Sequence, residues 1–197
     1  VCVETVQKFE KKTTGWETHT LETVDENCTD VYCPMYPSPE KLIKYVESNP
    51  KYPLVMCEYA HAMGNSCGNF KEYWDVINQH DCLQGGFIWD WQDGGILEKD
   101  ENNNEFFSYG GDYGDKNTPS DHNFNCNGLI LPDKRWNPHC FEVKNIQQFV
   151  EFEFGKIYKN KDTNTNCFDL IIKNRYDFKI LSEFVLKTEF LKNGVVA

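Results

Sequence analysis

Pro53-Leu54-Val55-Met56-Cys57-Glu58-Tyr59-Ala60-His61-Ala62-Met63-Gly64-Asn65-Ser66 is the stretch on which the fold turns. The run from Leu54 to Cys57 is short, apolar and entered through a proline, the pattern of a buried strand. It ends on the carboxylate of Glu58 and passes at once into small, aromatic and imidazole-bearing residues. A buried parallel strand that delivers a Glu at its C-terminal end is how a β/α barrel presents a reactive group. Taken alone, such a Glu is more readily a solvated strand terminus, so the flanking sequence has to decide.

Upstream, Thr29 to Tyr36 is expected to be another short strand. Ser38-Pro39-Glu40 then carries the marks of a helix start: a capping hydroxyl, proline at the first helical position and an acid in the first turn. Leu42, Ile43, Tyr45 and Val46 give that helix one apolar face. Downstream, Asn69 opens a second helix, with Phe70, Tyr73, Trp74 and Ile77 on one side. A third strand, Leu83 to Ile88, ends in Trp89-Asp90-Trp91. Strand, helix, strand, helix, strand is the rhythm of a parallel α/β sheet. It sets Tyr36, Glu58 and Trp89 at C-terminal strand ends.

From about residue 95 to 146 the chain is rich in Gly, Asn, Asp and Pro and reads as loop. The pattern then changes. Val150-Glu151-Phe152-Glu153-Phe154 alternates with period two, and Phe168 to Ile172 and Phe184 to Phe190 are expected to be further strands of an antiparallel sheet. Asn193-Gly194 is a hairpin signal with only three residues after it, so no return strand is expected. The fold expected is therefore α/β: a partial (β/α)8 barrel, its last three βα units, followed by the start of an antiparallel β-sandwich. Residues 1–28 form a polar, loop-like segment, 29–146 the barrel part and 147–197 the sandwich part. A complete barrel has eight such units and about 250 residues, so the sequence reads as a piece of a larger protein.

The formal net charge is −11 over 197 residues. An acidic surface disfavours nucleic acid and anionic membrane as partners, and no apolar run approaches the roughly 18 residues of a membrane span. Nine cysteines are present, without a Cys-x-x-Cys pair. They read as small buried hydrophobes in the reduced state, which favours a cytoplasmic setting and argues against a zinc site. Asn27-Cys28-Thr29 is a formal glycosylation sequon that matters only in a secreted chain.

Five motifs in one order carry a resemblance. They are Cys33-Pro34-Met35-Tyr36, Cys57 to Ser66, Gln84-Gly85-Gly86-Phe87-Ile88-Trp89-Asp90-Trp91, Tyr109-Gly110-Gly111-Asp112-Tyr113-Gly114-Asp115, and Phe124-Asn125-Cys126-Asn127-Gly128-Leu129. Together they resemble the family-2 glycoside hydrolases of β-galactosidase type, from about Thr29 to Gln148. The resemblance implies hydrolysis of terminal β-galactosides, such as lactose, with retention of configuration. It places Glu58 on the nucleophile and Tyr36 on the tyrosine beside it. His61 falls on a ligand of a galactose hydroxyl, Trp89 on the sugar-stacking platform and Asp121 on an acid of the active-site loop. The Phe124 carbonyl and the Asn127 side-chain oxygen fall on ligands of a sodium ion that touches the sugar. The Mg2+ ligands of the family lie upstream of this chain. So does the second carboxyl group that a retaining mechanism requires, since Glu26-Asn27 has the reversed order and no strand before it.

Asp90 and Asp93 read as structural parts of the Trp-Asp-Trp strand end. The parent protein is expected to be a homo-oligomer, and this chain alone is expected to be inactive. Two other readings stay open: a galactoside-binding module without chemistry, and a piece that needs a complementary chain.

Overall fold

A computed structural model of the chain describes residues 29–115 and 117–196. The polar segment 1–28 and its sequon asparagine lie outside the described residues. Two compact units are present, divided between Ile146 and Gln147.

The first unit is built on parallel backbone segments lying side by side. Strand β1 (Leu54–Tyr59) pairs in parallel with β2 (Leu83–Ile88), Leu54 facing Leu83, Met56 facing Gly86 and Tyr59 facing Ile88. Gly86 is what allows this approach, because a Cβ there would sit 2.6 Å from the Met56 Cβ and 2.9 Å from its carbonyl oxygen. On the other edge of β1, residues 32–36 run parallel to it through the Tyr32 and Met35 bridges. The expected strand there is reduced to these two bridges. The ladder bonds Tyr32 N–H to Pro53 O, Val55 N–H to Tyr32 O and Cys57 N–H to Pro34 O are all made. Pro34 has no N–H to return the next one, which breaks the strand at its middle.

Beyond β2 the chain continues through Gln92, and residues 127–130 lie parallel to that extension. Asp90 N–H donates to Asn127 O at 2.7 Å, Leu129 N–H to Asp90 O at 3.0 Å and Ile130 N–H to Trp91 O at 3.1 Å. Gly128 sits where a Cβ would meet the Asp93 nitrogen at 2.2 Å. Its own N–H donates to Asp93 Oδ1 at 2.7 Å, so Asp93 holds two backbone segments together.

Helix α1 (Pro39–Glu47) begins where the sequence places it, with the Ser38 hydroxyl accepting from Lys41 N–H. It buries Leu42 and Tyr45. Helix α2 (Phe70–Ile77) buries Phe70 and Ile77 at the ends of the expected apolar face, and Tyr73 and Trp74 pack partly buried against the core. The stretch read as loop from 95 to 146 holds more structure than expected. It contains an antiparallel hairpin of β3 (Ile96–Lys99) and β4 (Glu105–Ser108), a 3-10 turn at Gly110–Asp112, and helix α3 (Pro138–Ile146), which buries Cys140 and Val143. The core of the unit joins Leu42, Leu54, Met56, Tyr59, Phe70 and Leu83 to Leu129 and Ile130.

The second unit is an antiparallel pair, β5 (Val150–Lys159) and β6 (Asn166–Asn174), with Val150 facing Asn174 and Lys159 facing Asn166. Both strands are longer than the sequence pattern marks. Phe184 to Phe190, expected to be a strand, forms none. Instead a short hairpin of β7 (Leu191–Lys192) and β8 (Val195–Val196) closes over Asn193-Gly194, so the turn signal does have its return strand. No described helix is long and apolar enough to cross a membrane.

Candidate active site

The side chains singled out by the sequence gather at the ends of the parallel segments. Tyr36 and Glu58 come from neighbours: the Met35–Glu58 bridge and the Tyr36 N–H donating to Glu58 O at 2.8 Å fix their relative height. Both residues are half-buried. The Tyr36 phenol faces the Glu58 carboxylate closely enough to be influenced by it. Burial raises the Tyr36 phenol well above its ordinary value; the negative charge of Glu58, its hydrogen bond, and the nearby Cys57 and Asp90 add to the rise. A phenol held that far from ionisation keeps its proton and remains a donor to the carboxylate. Tyr36, on the segment beside β1, and Ala60, two residues after Glu58, both adopt left-handed backbone conformations, φ +47° and +51°. Non-glycine residues so placed cost roughly 1 to 3 kcal/mol each and cluster at functional sites.

His61 follows three residues after Glu58. Its Nε2 lies 2.6 Å from Asn127 Oδ1, and the Asn127 amide nitrogen donates to the Phe124 carbonyl. Asn127 is 3% exposed. The His61 ring lies edge-on to Tyr36, centroids 6.3 Å apart, and 6.2 Å from the Phe124 ring. Tyr36, Glu58, His61, Phe124 and Asn127 therefore form one connected group. Trp89 joins through its backbone: its N–H donates to Tyr59 O and its carbonyl accepts from Ala62 N–H at 2.8 Å. Its side chain stays 38% exposed, and the Trp89–Asp90 peptide is cis.

Asp121 stands apart. It lies on an exposed turn, its carbonyl accepting Phe124 N–H at 3.1 Å. Among the described residues no hydrogen bond links its carboxylate to Glu58, His61 or Asn127. Two polar residues that sequence reasoning did not single out support the turn from behind. The Asn137 amide and the His139 ring both bond the Gly128 carbonyl, at 2.9 and 3.0 Å. The Asn137-Pro138 helix entry was the available signal, hidden by the loop reading of that stretch. No group of three or more His, Cys, Asp or Glu able to hold a metal is present among the described residues. The seven cysteines among them, Cys33, Cys57, Cys67, Cys82, Cys126, Cys140 and Cys167, are free thiols.

A half-buried carboxylate at a strand end thus lies beside a phenol, with an imidazole and an exposed indole at neighbouring strand ends. The model of the family described as "Glycosyl hydrolases family 2, TIM barrel domain" matches residues 6–152. The chain belongs to that family. It is 41% identical over 155 residues, 75% of its length, to a protein of Priestia megaterium named beta-galactosidase. It is 38% identical over 182 residues, 86% of its length, to a beta-galactosidase of Alteromonas mediterranea. It is 40% identical over 180 residues, 85% of its length, to that of Photobacterium profundum. The chain spans 15% to 17% of the length of these relatives.

Proposed function

We propose that the chain supplies the nucleophile side of a retaining β-galactosidase, built on the last three βα units of a barrel and followed by the first strands of a β-sandwich. The observation that carries this reading is the pairing of Tyr36 with Glu58 across adjacent parallel segments, through the Met35–Glu58 bridge and the Tyr36 N–H donating to Glu58 O at 2.8 Å. In the proposed reaction a Glu58 oxygen attacks the anomeric carbon. The bond to the aglycone oxygen breaks, and that oxygen takes a proton from a second carboxyl group. A galactosyl ester on Glu58 results. Water, giving its proton to the same second carboxyl, then attacks the anomeric carbon from the opposite face, and Glu58 is released as carboxylate. Tyr36 donates to the Glu58 oxygen that does not attack, which orients the carboxylate and lets its negative charge move toward the reacting oxygen. His61 and Asn127 contact sugar hydroxyls, Trp89 stacks on the apolar face of the ring, and Asp121 approaches from its loop when substrate is present.

The second carboxyl stands roughly 5 Å from the nucleophile in a retaining site, and we assign it to a part of the protein outside this chain. The chain by itself is accordingly proposed to be inactive. Sodium on the Phe124 carbonyl and Asn127 would anchor a sugar hydroxyl, and Mg2+ would be held by residues outside the chain. The proposed substrate is a β-galactoside such as lactose, and the proposed assembly of the parent is a homo-oligomer.

The test is chemical rescue in the full-length protein. Glu58→Gly is expected to lose turnover of an aryl β-galactoside by roughly 10³-fold or more. Azide is expected to restore it, giving α-galactosyl azide because the small anion attacks from the vacated face. A variant that keeps its activity, or whose rescued product is β-configured, would remove Glu58 from the nucleophile's role.

A further inference from the structure

Gly128 is gripped from two directions. Its N–H donates to Asp93 Oδ1 at 2.7 Å, and its carbonyl accepts from the Asn137 amide at 2.9 Å and from the His139 ring at 3.0 Å. The peptide unit between Asn127 and Gly128 is a rigid plane, and both of its ends are held by segment 89–93. At one end the Asn127 carbonyl accepts Asp90 N–H at 2.7 Å. At the other the Gly128 N–H meets the Asp93 carboxylate. The first is a backbone bond, open to almost any residue at position 90. The second exists only because position 93 carries a side-chain acceptor of this length, and a charged acceptor makes a stronger bond than a neutral one.

Asn127 is attached to that plane. It is 3% exposed, and its Oδ1 lies 2.6 Å from His61 Nε2. A tilt of the plane changes the backbone torsion of Asn127 and so moves its amide relative to the imidazole. Gly94 N–H donating to Asn125 O at 2.9 Å and Ile130 N–H donating to Trp91 O at 3.1 Å fix the chain on either side, but neither bonds the plane itself.

We infer that Asp93 is a positioning residue for the sugar site: by accepting from Gly128 N–H it sets the tilt of the Asn127–Gly128 peptide, and through it the place at which Asn127 and His61 meet a galactoside. This role rests on the proposed contacts of Asn127 and His61 with sugar hydroxyls, and it is independent of the chemistry at Glu58.

The experiment is calorimetric titration of the full-length protein with an alkyl β-thiogalactoside, whose sulfur linkage resists cleavage, with the melting temperature of each variant recorded beside it. Asn127→Ala is expected to weaken binding roughly tenfold. Asp93→Ala is expected to weaken it roughly tenfold on its own and by less than about twofold in the Asn127→Ala background, where no amide is left to place. Asp93→Asn keeps an acceptor oxygen at the same reach and is expected to bind within about threefold of the unaltered protein. A merely structural Asp93 would lower the melting temperature and weaken binding by the same factor in both backgrounds, and that result would overturn the role. So would tight binding by Asp93→Ala beside weak binding by Asn127→Ala. Tight binding by Asn127→Ala would instead remove the sugar contact at Asn127, and the role of Asp93 with it. Should Asp93→Ala not fold, Asp93→Glu makes the same comparison in both backgrounds with the same expected factors, since it keeps the charge but carries it one methylene too far.

Discussion

In the proposed reaction Glu58 depends on its neighbours. A strand-end carboxylate is common; one set beside a phenol whose own ionisation is suppressed by burial is less so. Tyr36→Phe removes the donor and leaves the ring, so the fold is expected to survive while kcat falls by roughly 10²-fold, the scale seen when one oriented donor to a reacting oxygen is deleted. Steady-state kinetics on the full-length protein would show it, and an unchanged kcat would count against the pairing. Gly128 is the strictest residue of the site's framework. A Cβ there would lie 2.2 Å from the Asp93 nitrogen and 2.5 Å from the Ile130 carbonyl, both backbone atoms with no way to yield. Gly128→Ala is expected to destabilise by on the order of 3 kcal/mol or more, read as a shift of the denaturation midpoint. The placement of Tyr36, Glu58, His61 and Trp89 was legible because each ends or closely follows a strand. The two-sided hydrogen bonding of Asn127 was not, since a side-chain amide on an Asn-Gly turn gives no sign of which distant ring it will meet.

At the scale of elements, helix α1 and the β1–β2 pair followed from local rules: a capped, proline-led start and short apolar runs. The misses share one physical cause, that local pattern does not reveal a partner. Ile96-Leu97 and Phe106-Phe107 are adjacent apolar pairs without period-two alternation, so the β3–β4 hairpin left no strand signal. Its turn is held by Asp100 Oδ1, which accepts from the N–H groups of Asn102 and Asn104 at 2.8 Å each. Helix α3 buries only Cys140 and Val143, too short a stripe to stand out, while Phe141 remains exposed. Phe184 to Phe190 erred the other way: it has strand composition but finds no neighbouring strand to bond. Tyr45 ties α1 to the loop before β1, its hydroxyl donating to Tyr52 O at 2.6 Å. Burial is the chief cause that raises its phenol to about 12, from the ordinary 10.0. The folded state thus holds this proton more tightly than the unfolded one. The stability it contributes is complete below about pH 10 and is lost as pH rises toward 12. Melting temperature is expected to be insensitive to this group up to about pH 10 and to fall above it. Tyr45→Phe should cost about 1 kcal/mol at neutral pH and reduce the alkaline slope; an unaltered slope would contradict the assignment.

Across the whole molecule, burial is uneven. The first unit has a continuous core, whereas Phe154 and Ile157 on β5 remain 75% and 83% exposed. A two-stranded sheet with uncovered apolar side chains is marginal in water. In hydrogen exchange on this chain, the β5–β6 amides are expected to lose protection well before those of β1 and β2; equal protection would show that the second unit is stabilised by something beyond the pairing. The same parallel segments that bury Leu54, Met56 and Tyr59 carry Tyr36, Glu58 and Trp89 at their ends.

The measurement that tests the central claim most directly is covalent trapping of the full-length protein with a 2-deoxy-2-fluoro-β-galactoside bearing a good leaving group, followed by intact mass and peptide mapping. The expected result is one fluorogalactosyl increment, located on the peptide containing Glu58 and absent from Glu58→Gln. A label on another carboxylate, or inactivation without any covalent increment, would contradict the account.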